Sequence, residues 1–177
     1  MKKNPEKIKF SPLRDTFMKK FKQYWPLLAL ILVAFLGATA LVCGIQGGSF
    51  AWMHFFMGLL LCQFATLKLF HLSDFVSGFQ MYDLVAKKSD GYAYLYPFIE
   101  LGLGLSYLAF LYPIVIYSIT IVLMGIGTIG VVRALRAGLN VKCACMGTVL
   151  DVPLSTVTLS EDIGMGIMAC WMLLMSF

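Results

Sequence analysis

Five separate stretches of this chain are each long and apolar enough to cross a lipid bilayer as a helix. They run roughly from Tyr24 to Cys43, Phe50 to Phe70, Tyr92 to Leu111, Pro113 to Val132 and Thr158 to Phe177. A helical crossing takes about 20 largely apolar residues, and a helix satisfies its backbone polar groups without help from water. Composition agrees, since 60% of the 177 residues are hydrophobic and only 13% are charged. A soluble domain of this size could not bury so much apolar surface in one core. The expected fold class is therefore all-α, a polytopic membrane bundle of five transmembrane helices plus one short interfacial helix. It forms a single domain over residues 24–177, after a basic tail over residues 1–23.

The cations then orient the bundle. Of the 14 Lys and Arg, eight precede the first span, Lys68, Lys87 and Lys88 follow the second, and Arg133, Arg136 and Lys142 follow the fourth. With five spans all of them fall on one side, and cytoplasmic loops carry such an excess. The N-terminus is expected in the cytoplasm and the C-terminus outside. This segregation accounts for the net charge of +5 and leaves no reason to invoke nucleic acid. Ala38-Thr39-Ala40 matches a signal-cleavage site only loosely, and Val42 is too bulky to precede a lipidated Cys43, so the first span is expected to stay as an anchor.

Between the second and third spans lies "SDFVSGFQMYDLVAKK", residues 73–88. Phe75, Phe79, Tyr82 and Ala86 recur at helical spacing, with Ser73 as a cap and Lys87 and Lys88 at the end. The pattern predicts a short helix in the cytoplasmic interface with its aromatic face in the lipid. Gly102, Gly104, Gly125, Gly127 and Gly130 are small enough to let helices approach closely.

Chemistry concentrates in "VKCACMGTV", residues 141–149, within loop 137–157. In extended backbone Cys143 and Cys145 point to one face, and Lys142 beside them favours the thiolate that attacks disulfides and binds metals. A disulfide between them would close a very small ring and require a bent backbone, and strained disulfides suit exchange better than structure. The same thiols could instead capture a soft ion such as Cu(I) or Hg(II). Met146 lies next to the pair, and Met165, Met168, Met172 and Met175 form one stripe along the last span. Such a stripe could pass a soft ion along or simply pack. Cys43 and Cys170 could meet as an outer relay.

Glu100, about two turns into the third span, is the one acid that stands deep in an apolar stretch. An ionisable group there is a functional candidate by default, or it pairs with Lys68. Thr158 and Glu161 read as a capping box, with Asp162 in the same favourable first turn. His54 and His71 are nearly a whole span apart and cannot share a metal without a third helix. The chain carries no phosphate-binding glycine loop, nucleophile elbow or zinc signature.

The stretch "TLKLFHLSDFVSGFQMYDLVAKKSDGYAYLYPFIELGLGL" resembles the DoxX-like and MauE-like families of small bacterial membrane proteins. It carries Lys68 at the end of a span, Phe75, Phe79 and Tyr82 in the interfacial segment, and Pro97 and Glu100 in the next span. The loop "KCACMGTVLDVPLSTVTLSEDIGM" resembles MauE-like members with a Cys-x-Cys-x-Gly element, here Cys143, Cys145 and Gly147. The likeness covers about residues 55–177. It implies a redox-associated protein of the bacterial inner membrane, linked in MauE itself to methylamine utilisation and to maturation of a disulfide-rich enzyme subunit. DoxX-like relatives imply a possible quinone. Other similar sequences occur with heavy-metal-associated domains.

Three functions follow as expectations. The first is thiol–disulfide transfer by Cys143 and Cys145, with Lys142 favouring the thiolate and a thioredoxin-like protein as partner. The second is soft-metal transport or binding, with Cys143, Cys145, Met146, Met165, Met168 and Met172 as ligands and a heavy-metal-associated domain protein as partner. The third is a non-catalytic assembly subunit that holds an enzyme at the membrane.

Overall fold

A computed structural model describes residues 12–137 and 154–176, with backbone alone for 12–24 and 154–157. The described chain is helical throughout, in six helices: α1 (Pro12–Ile45), α2 (Ser49–Phe70), α3 (Leu72–Tyr82), α4 (Asp90–Leu108), α5 (Pro113–Arg136) and α6 (Leu154–Leu174). Among the described residues, three stretches are long and apolar enough to cross a membrane, Trp25–Ile45, Ser49–Phe70 and Pro113–Arg136. The expected count of five is thus reached only in part. α4 carries Glu100 in a stretch that is also rich in Tyr and Gly, and α6 is described with its side chains only from Thr158 onward.

Tight turns hold neighbouring helices antiparallel. Gln46 adopts φ 50 before Gly47 and Gly48, so α1 reverses into α2 within three residues. Phe110 and Tyr112 adopt φ 55 and 38, and Pro113 then opens α5, where its missing donor costs nothing. α2 packs between α1 and α4, and α5 packs along α6. Against α1, the indole of Trp52 meets Phe35 edge-on and donates to Thr39 Oγ1 at 3.1 Å. Many α1 side chains beyond that seam are exposed, including Leu32, Val33 and Leu36, as lipid-facing residues should be.

Glycine sets the α2–α4 distance. A Cβ on Gly104 would lie 2.7 Å from Cys62 Sγ, and one on Gly58 would lie 2.9 Å from the Gly104 carbonyl oxygen. Gly127 and Gly130 are equally crowded, by Asp162 and by the Tyr82 carbonyl. Gly102 and Gly125 are different, since a Cβ there meets nothing within 4 Å. Of the five glycines expected at helix contacts, three serve that purpose.

The short helix expected after the second span forms as α3, but its aromatic face is covered differently from the expectation. Phe75, Phe79 and Tyr82 are almost fully buried, as is Ala86 beyond the helix end. Phe75 and Phe79 pack on Tyr96 of α4 at centroid distances of 5.9 and 4.6 Å. The apolar stripe is real, but the bundle covers it more completely than lipid would. Ser73 does not cap the helix: His71 occupies the N-cap, with no side-chain bond. The helix also stops at Tyr82, ahead of Lys87 and Lys88. There the Asp83 carboxylate captures the backbone N–H groups of Val85 and Ala86, both at 2.8 Å, a competition with helix geometry at which aspartate excels.

Candidate polar chamber

The densest charge in the described bundle surrounds Lys68. This residue ends α2, where a cation suits the helix dipole, yet only 4% of its surface is exposed. Its Nζ donates to both carboxylate oxygens of Glu100 at 2.7 Å and lies 3.7 Å from Glu161 Oε1. The same ammonium sits 5.2 Å from the Tyr96 ring centroid and 5.7 Å from that of Phe75, a range in which a ring face attracts a cation. The pairing of Lys68 with Glu100 that the sequence suggested is therefore present, and aromatic walls enclose it.

Further acids complete the chamber. Asp162 is 5% exposed, and its carboxylate fits because Gly127 opposite has no side chain. Asp83 is fully buried, with one oxygen bound by two backbone N–H groups and Oδ2 without a hydrogen-bond partner among the described residues. Lys68, Phe75, Phe79, Tyr82, Tyr96 and Asp162 line a cavity of about 10 Å³, room for roughly one water. Charges removed from water are tolerated only when paired and hydrogen-bonded. Among the described residues one buried lysine thus faces several buried carboxylates.

The capping-box reading of Thr158 and Glu161 does not hold. α6 begins at Leu154, so both residues lie inside the helix, and Glu161 turns toward Lys68 instead. Sequence reasoning did not single out Asp83, and it read Glu161 and Asp162 only as acids of a helix cap. A faint signal existed in two adjacent acids on an apolar helix, but a conventional cap explained them too readily.

A second buried network lies toward the other end of the bundle. His54 is fully buried, with Nδ1 3.2 Å from the Tyr107 carbonyl oxygen and Nε2 bonded to the Tyr117 hydroxyl. A carbonyl only accepts, so Nδ1 carries the hydrogen and Nε2 accepts from Tyr117. Tyr107 donates to Thr120 Oγ1 at 3.3 Å, and Thr120 donates to the Ile116 carbonyl. Every polar atom named here is satisfied, and the network ties α2, α4 and α5 together. His71 is exposed and takes no part.

Lys142, Cys143, Cys145 and Met146 lie outside the described residues. Of the methionine stripe, Met165 and Met172 are core residues, 3% and 0% exposed. Met168 packs against the same core, and Met175 is exposed. Cys43 and Cys170 are exposed free thiols, and Cys62 is a third. Among the described residues no group of three or more His, Cys, Asp or Glu could hold a metal ion.

No curated protein and no solved structure matches the chain. A family model does match, over residues 27–175, and its description is methylamine utilisation protein MauE. That stretch takes in the helices that build the polar chamber and the segment that carries Cys143 and Cys145. On that match the chain belongs to the MauE family of membrane proteins.

Proposed function

We propose that this protein transfers electrons between thiols and disulfides at the bacterial inner membrane, using Cys143 and Cys145. The observation that carries the reading is their place in the chain. They lie in the segment that joins α5 to α6, and α6 is tied back to the end of α2 through Glu161 and Lys68. The segment is thereby attached at one end to a braced part of the bundle, which suits a working site better than an unanchored tail. The topology proposed with it has five spans, α4 and α6 included, with the N-terminus and the thiol segment in the cytoplasm.

In the reducing direction, the Cys143 thiolate attacks one sulfur of a partner disulfide and expels the other partner sulfur as a thiolate. A mixed disulfide forms. The Cys145 thiolate then attacks Cys143, closes the intrachain disulfide and releases the second partner thiolate. Two electrons pass to the partner, and the two protons given up by the pair balance its two new thiols. Lys142 favours the attacking thiolate. A cytoplasmic, thioredoxin-like dithiol protein restores the reduced pair by the same exchange run in reverse.

The test is mechanism-based trapping. Cys145→Ser leaves the mixed disulfide without its resolving thiol, so a reductant-sensitive adduct with the protein whose disulfide Cys143 attacked is expected to accumulate in membranes. The adduct should vanish in Cys143→Ser/Cys145→Ser. Equal adduct in both variants would assign the reactive thiol elsewhere and overturn the proposal.

A further inference from the structure

The outer face of α5 and α6 carries a long groove of about 550 Å³, open along its side. That volume lies in the range of small-molecule sites, which are mostly apolar with a few polar groups that fix orientation. Gly125 and Gly166 keep it open: a Cβ on Gly125 would meet nothing within 4 Å, and one on Gly166 only Met124 at 3.8 Å. Ile167, Trp171 and Leu174 form exposed walls. From Asp162 to Leu174 the groove follows three turns of α6, about 18 Å at 1.5 Å per residue, slightly more than half of the hydrocarbon thickness.

Two polar groups in this apolar channel have no hydrogen-bond partner among the described residues. Thr39, Thr66, Ser106, Ser118 and Thr120 all donate to the carbonyl four residues earlier in their own helix. That is the usual recourse of a hydroxyl in an apolar helix. Thr128 makes no such bond among the described residues, although it lines the groove. Asp162 is 95% buried by its 5% exposure, and Lys68 reaches Glu100 and Glu161 but not Asp162 within 4 Å. No donor among the described residues bonds its carboxylate. Asp162 also lines the inner chamber, so it forms the wall between chamber and groove.

Unpaired polar groups in an apolar setting are costly. A hydroxyl is the smallest group that answers both, since it can donate to Asp162 while accepting from Thr128. A phosphate head is disfavoured by charge, because Asp83, Glu100 and Glu161 stand behind Asp162 and, among the described residues, the cation paired with Glu100 and Glu161 is Lys68. We propose that the α5–α6 groove binds a long-chain alcohol or phenol from the bilayer, its hydroxyl between Asp162 and Thr128 and its apolar body along Gly125 and Gly166. This inference does not depend on the thiol chemistry proposed above.

The test uses full-length protein in vesicles with a photoactivatable hexadecanol, the labelled residues being mapped by mass spectrometry. Matched probes with an alkyl end, an amine or a phosphocholine in place of the hydroxyl run in parallel. The alcohol is expected to label α5 and α6 along the groove and to be competed by unlabelled alcohol. Thr128→Val removes one hydrogen bond and is expected to weaken labelling by about 10-fold, the equivalent of about 1.4 kcal/mol. Gly125→Leu, a substitution with open space to enter, should block the channel. Should Asp162→Asn fail to fold, these two variants decide the matter alone. Equal labelling by the alkyl probe, preference for amine or phosphocholine, or labelling spread evenly over all exposed helices would each overturn the proposal.

Discussion

Lys68 is the residue on which most of the buried charge depends. Its ammonium serves Glu100 through two 2.7 Å hydrogen bonds and Glu161 at 3.7 Å. Removing one partner from a buried ion pair leaves a charge with neither water nor counterion, at a cost of about 3–5 kcal/mol. Lys68→Met is therefore expected to destabilise the protein by that amount, as read from denaturant or thermal unfolding in detergent. The paired change Lys68→Met/Glu100→Leu should recover most of the loss, because well-packed apolar residues replace buried pairs at little net cost. A double variant no more stable than the single would show that Glu100 is not the main partner. Tyr117→Phe tests the other network: it strands His54 Nε2 without its donor and should cost about 1–3 kcal/mol. The two sites were unequally legible in the sequence. Lys68 and Glu100 could be paired because each is conspicuous against apolar neighbours at matching depth. Asp162 could not, since its environment depends on Gly127 of another helix, and no spacing along α6 reveals that contact.

Among the elements, α2 and α4 meet as closely as backbones allow, and the glycines there are not equivalent. Gly104→Val places a branched side chain against Cys62 and the Gly58 carbonyl, where even a Cβ would approach to 2.7 and 3.0 Å. Overpacking of this kind costs about 1–3 kcal/mol. Gly102→Val, two residues away with nothing within 4 Å, should leave stability nearly unchanged apart from helix propensity. Comparing the two in one unfolding assay checks the seam directly, and equal losses would contradict it. The sequence announced small residues but not which of them face a neighbour, because helix rotation is set by tertiary packing. For α3 the aromatic periodicity was legible. What covered it was not, since an apolar stripe suits lipid and protein alike. The end of α3 was misplaced for a local reason: the Asp83 side chain outcompetes the next helical turn for two backbone donors.

On the scale of the whole molecule, hydropathy foretold an all-helical membrane protein, and the family match agrees. The number of spans was less legible, because Glu100 and several Tyr and Gly lower the hydropathy of α4. Sidedness rests on the distribution of Lys and Arg. In a cysteine-free background, Lys88→Cys is expected to react with an impermeant maleimide only from the cytoplasmic face, and Ser49→Cys only from outside. Reaction of both from one face would refute the proposed topology. The early turns of α6 hold Glu161 and Asp162 of the chamber, and α6 follows Cys143 and Cys145 in the chain. The most direct test of the central claim is a parallel count of free thiols and bound metal on detergent-purified wild type and Cys143→Ser/Cys145→Ser. The account predicts two thiols in the wild type that convert reversibly to one disulfide, are missing from the double variant, and retain no metal. Copper held at about one per chain in the wild type and lost in the double variant would contradict it and make the pair a soft-metal site.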